Sequence, residues 1–99
     1  MGIREGSSGP FVIETVDVTV DVASIPASTA PDTSVAVPAA RVGDSIIATP
    51  LGTWIVGLVI GPCRCLVAGT VLMRVGNVTV GAVDAASQSV RFTLIHDAP

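Results

Sequence analysis

The chain has no lysine and no tyrosine, and among its 99 residues there are only one tryptophan, two phenylalanines and one histidine. Without lysine, positive charge rests on Arg4, Arg41, Arg64, Arg74 and Arg91, which are scattered so that no basic stripe exists to neutralise phosphates. Together with a net charge of −3, this excludes nucleic acid as a partner and disfavours an anionic membrane surface. So few rings also argue against a glycan site, which stacks sugars on several exposed aromatics. Helical periodicity is missing too, since no stretch carries an apolar stripe longer than one turn. The first ten residues, MGIREGSSGP, hold no apolar run before Phe11, so they do not read as a signal peptide. Gly6 stands where myristoylation wants Ser or Thr. A chain made and assembled in a cytoplasm is expected.

A long hydrophobic span is only imitated. Thr53 to Met73, TWIVGLVIGPCRCLVAGTVLM, approaches the ~20 apolar residues that cross a bilayer. Gly61-Pro62, Arg64 and Gly69-Thr70 cut it into pieces, and two or three buried strands are expected instead.

What is present is strand patterning. In ETVDVTVDVASI, residues 14 to 25, Val16, Val18, Val20 and Val22 alternate with Asp17, Thr19 and Asp21, which is a strand with one apolar and one wet face. The period predicts a first strand over 11–24. Further strands are expected over 33–37, around Val42, Ile46 and Ile47, over 54–60, 63–68 and 70–80, and over 89–95, where Val90, Phe92 and Leu94 alternate with Arg91 and Thr93. Gly43-Asp44 is a turn or bulge candidate, and Gly76-Asn77 either a turn or a strand end. The fold class is therefore all-β, an antiparallel β-sandwich or jelly-roll-like barrel of six to eight strands. Residues 1–10 read as a flexible arm and 11–99 as one domain. Hydrophobic residues make up 49% and charged residues 13%, so part of the apolar surface is expected to be covered by another chain.

Chemistry is sparse. Cys63 and Cys65 share a strand face; two thiols are too few for a metal site, and a disulfide two residues apart is strained. Buried reduced thiols are the plain account, with redox or metal chemistry and intermolecular bridging as alternatives. His96 and Asp97 form a possible base pair at the end of the last strand, but no nucleophile is placed beside them. Asp17 and Asp21 stand ~13 Å apart on one strand face, either a solvated outer face or part of a calcium site completed by loop carbonyls. Asn77-Val78-Thr79 matches the glycosylation sequon, which carries no weight without a secretory signal. Arg74 and Arg91 either solvate the sheet or pair across chains, and Trp54 is either core filler or an interface anchor. No catalytic residue, cofactor or metal is expected.

Read in order, VDVASIPASTAPDTSVAVPAARVGDSIIATP and VLMRVGNVTVGAVDAASQSVRFTLIHD resemble small β-proteins encoded by tailed bacteriophages, namely head decoration (cement) proteins and fibre domains. The resemblance is carried by Asp21, Ala23, Ser24 and Ile25, by Arg41, Val42, Gly43 and Asp44, and by Arg74, Asn77, Arg91, Phe92 and Ile95. The chain departs from the pattern at Gly76 and at Cys63-Arg64-Cys65. The resemblance implies a trimeric β-sandwich or jelly-roll module on the capsid surface, bound to its own copies and to the major capsid protein, and stabilising the shell without catalysis. A tail-fibre or spike module binding a host receptor or glycan is the alternative. Interface candidates are Phe11, Trp54, Arg41, Arg74 and Arg91.

Overall fold

The computed structural model describes residues 10–97. Of the expected arm, only Pro10 falls among them. Six strands follow in order: β1 (Phe11–Val20), β2 (Asp32–Ala36), β3 (Ser45–Pro50), β4 (Leu58–Val67), β5 (Thr70–Asn77) and β6 (Gln88–Asp97). All pairings are antiparallel, in two three-stranded sheets ordered β1-β6-β3 and β2-β5-β4. The described residues contain no helix. The result is a small all-β sandwich whose sheets do not close into a barrel.

Alternation decides which side chains meet. In the first sheet Val16, Val18, Val20, Val90, Phe92, Leu94, Ile46 and Ala48 face inward, and in the second Val35, Val71, Met73, Val75, Leu58 and Cys65 answer them. Phe92, Met73, Leu94, Val71, Val75 and Val90 are fully buried. β3 and β4 are neighbouring edges; on the opposite side, β1 and β2 flank a recess of about 190 Å³ lined by Val18, Val20, Thr33 and Val35.

Several expected boundaries are corrected. The first strand stops at Val20 rather than residue 24, although Val22 stays buried and Ile25 bridges to Val83. The stretch 54–57 is loop, so the strand expected from Trp54 begins at Leu58. Gly61-Pro62 does not separate two strands, because β4 runs through it with register shifts after Ile60 and after Arg64. β4 is an edge strand, where a missing proline N–H removes no ladder bond. β5 ends at Asn77, not Val80.

Gly57 fixes the entry to β4. Its φ is +92°, a Cβ there would run into the Thr79 side chain, and its carbonyl accepts the Val78 N–H at 3.0 Å. Gly57→Ala therefore combines backbone strain with a clash, and a loss of about 2 kcal/mol is expected in urea unfolding. A variant as stable as the parent contradicts this packing.

Candidate functional site

The R-V-G-D segment, residues 41–44, is a turn leading into β3. Gly43 takes φ +88°, the Asp44 N–H donates to the Arg41 carbonyl at 3.1 Å, and Asp44 Oδ2 accepts the Arg41 N–H at 2.9 Å. The Arg41 guanidinium donates to the Asp97 carbonyl at 3.2 Å and ties the turn to the end of β6. Phe11, Arg41, Val42, Ile95 and Asp97 line a recess of about 330 Å³ at this end of the first sheet. Two interface candidates, Phe11 and Arg41, are thus brought together.

Beside the recess the outward face of the first sheet is apolar. Ile13 stands directly opposite Ile95, Ile47 is one register step away opposite Thr93, and Phe11 lies two residues before Ile13. Phe11, Ile13 and Ile47 are 61%, 66% and 55% exposed. Farther along the same face, Arg91 donates through Nε and Nη2 to both carboxylate oxygens of Asp17, at 2.8 and 3.1 Å. An apolar centre bordered by paired charges has the composition of a docking surface. At the other end of the molecule, Val56, Val78 and Val80 protrude from adjoining loops, each more than 70% exposed.

The remaining interface candidates are dispersed. Arg74 lies on the outward face of the second sheet, where it and Arg64 converge on Asp32. Trp54 is partly buried against the core, and its indole N–H donates to the Leu58 carbonyl at 2.9 Å. Both arginines singled out within strands, Arg74 and Arg91, have partners inside their own chain.

Histidine 96 does not pair with Asp97. Alternation turns Asp97 outward and His96 inward, where its side chain is 5% exposed, with Nδ1 3.0 Å from Asp44 Oδ2 and Nε2 3.0 Å from Glu14 Oε1. Asp44 and Glu14 were not legible as its partners, since they stand 52 and 82 positions away. The series Val90, Phe92, Leu94 nevertheless points to position 96 as the next inward place. Among the described residues no group of three or more His, Cys, Asp or Glu side chains is arranged to hold a metal ion. Cys63 and Cys65 both face inward and are unbridged, and burial pushes the Cys63 thiol up.

Asn77 is a buried hub rather than a modification site. Nδ2 donates to the Ile25 and Gly81 carbonyls at 2.8 and 3.0 Å, while Oδ1 accepts from the Thr79 N–H and Oγ1 at 2.8 and 2.7 Å. Every polar position of the amide is used.

The ion pairs predict an acid response. The Arg91 hydrogen bonds hold Asp17 below the ordinary carboxylate range, and those from Arg64 and then Arg74 do the same for Asp32. A carboxyl whose folded-state value is depressed contributes stability above the unfolded value, near 4, and loses it as pH falls through the folded one. The urea midpoint is therefore expected to fall between about pH 5 and about pH 2, with a shallower fall in Asp17→Asn. Equal slopes contradict this pairing.

No protein-family model matches the chain, and neither a curated protein nor a solved structure matches it.

Proposed function

We propose that this protein is a capsid decoration module of a tailed bacteriophage, bound as a homotrimer to the major capsid protein on the outside of the head and acting without catalysis. The observation that carries this reading is the exposed apolar face formed by Phe11, Ile13, Ile47 and Ile95, with Arg41 and the Asp17–Arg91 pair beside it. Burying such a face on the shell adds contact area that must be lost before capsomers separate, and mass action then stabilises the closed shell. A cyclic trimer needs a different patch on each side of every protomer. The valine tip at the far end supplies a second apolar surface, which would serve as one side of such a contact while the Phe11 face meets the shell. The family resemblance points the same way.

Co-sedimentation with expanded capsids that lack the protein tests this. The wild-type chain is expected to pellet with the shells, and Ile13→Asp, a change at an exposed position, to remain in the supernatant while keeping its fold. Failure of the wild type to pellet rules the proposal out; binding by Ile13→Asp at wild-type strength moves the docking surface elsewhere.

A further inference from the structure

The four edge strands are not equally protected against further pairing. β2 has five residues and lies between Pro31 and Pro38, β3 has six and ends in Pro50, and β4 carries Pro62 and two shifts of register. Short length, proline and bulges are devices that stop an edge from taking on another strand. β1 has none of them. It runs from Phe11 to Val20 in unbroken register with β6, and among the described residues β6 is its one strand partner. Its charged side chains turn back over β6, Asp17 to Arg91 and Glu14 toward His96, and so leave the open edge uncharged. Beside the last residues of that edge lies the recess between β1 and β2, lined by Val18, Val20 and Val35, a place for an inward apolar side chain of an added strand.

We infer that two copies of this chain join by antiparallel pairing of β1 with β1, about a two-fold axis beside Thr15. Residues directly opposite in such a pair lie on one face of the sheet, and the strand's own pattern then selects the register. Centring on Glu14 or on Asp17 sets that carboxylate against its own copy, which is destabilising. Centring on Val16 sets Glu14 against Val18, at the apolar recess. Centres farther toward either end shorten the overlap. Centring on Thr15 avoids all three: Thr15 meets Thr15, Ile13 meets Asp17, whose charge Arg91 answers, and Val12 meets Val18 at the mouth of the other copy's recess. By symmetry both recesses receive a valine. Residues 11–19 of each strand pair over roughly 30 Å. Backbone hydrogen bonds along the edge supply the affinity, and the alternating side chains supply the register. The axis is perpendicular to the sheet, so the Phe11 and Ile13 surfaces of both copies end on one side. This contact is isologous; it goes beyond the trimer proposed above and leaves the valine tip free and the outward face open.

Cross-linking of the full chain tests the pairing. With a short bis-maleimide, Thr15→Cys is expected to give covalent dimers about tenfold faster than Thr19→Cys, because the two copies of position 15 face each other at about 5 Å between Cβ atoms while the two copies of position 19 stand roughly 26 Å apart. Thr15 and Thr19 are both exposed, so the replacements keep the fold, and the wild type controls for Cys63 and Cys65. Thr15→Lys sets like charges against each other at the axis and is expected to weaken self-association about fivefold in sedimentation equilibrium, with an unchanged circular dichroism spectrum. Equal cross-linking rates in the two cysteine variants, no covalent dimer from Thr15→Cys, or equal association of the wild type and Thr15→Lys overturns the inference.

Discussion

Replacing Phe92 with alanine is expected to lower the unfolding free energy by about 4 kcal/mol. Phe92 is fully buried on β6, the central strand of its sheet, opposite Val16 of β1 on one side and Ala48 of β3 on the other. Removing the ring loses its transfer free energy and opens a cavity that three paired strands cannot easily collapse around. A domain of this size has a total stability of about 5–15 kcal/mol, so the variant is expected to be mostly unfolded at a urea concentration the parent tolerates. Urea unfolding followed by circular dichroism measures the difference. A loss below about 1.5 kcal/mol would be too small for a cavity of that kind and would place the ring outside the core.

Asn77→Ala is expected to cost about 3 kcal/mol, a loss from hydrogen bonding rather than from packing. The amide joins the carbonyl of Ile25 to the loop after β5 through Gly81 and Thr79. Those groups lie beside the backbone pair in which Ile25 and Val83 exchange bonds at 2.9 and 3.0 Å. Truncation leaves the Ile25 carbonyl without its side-chain donor in a buried setting, which carries the full desolvation penalty of an orphaned group. Asn77→Asp separates this from simple loss of volume, because a carboxylate keeps the shape but cannot donate. It is expected to be as damaging as alanine, and a fully stable Asn77→Asp variant would contradict the hub.

The strand assignments succeeded where period-two patterning was long and its apolar positions were valines and other core formers. Val16, Val18 and Val20, and later Val90, Phe92 and Leu94, announce both the strands and the face they bury. Alternation failed where turn chemistry competed with it. Trp54 to Gly57 looks strand-like in composition, yet Gly57 at positive φ and the Trp54 bond to Leu58 make it a loop. Gly61-Pro62 looks like a break, yet an edge strand absorbs it as a shift of register.

The site was less legible than the fold because its partners are distant in sequence. Arg41 and Phe11 meet at one recess only because β6 ends between their elements. Ile13, Ile47 and Ile95 occupy the outward positions of three different strands, where each one alone is an unremarkable exposed aliphatic residue. Only the register of both strand pairs makes them a continuous face. His96 stands beside Asp97 in the sequence, but strand geometry sends adjacent residues to opposite faces and gives the ring to Asp44 and Glu14.

Immunogold labelling of intact virions from the source lysate, with an antibody against this chain, tests the decoration proposal most directly. The proposal predicts dense gold over the head. Gold confined to the tail tip, or absent from every particle, would contradict it.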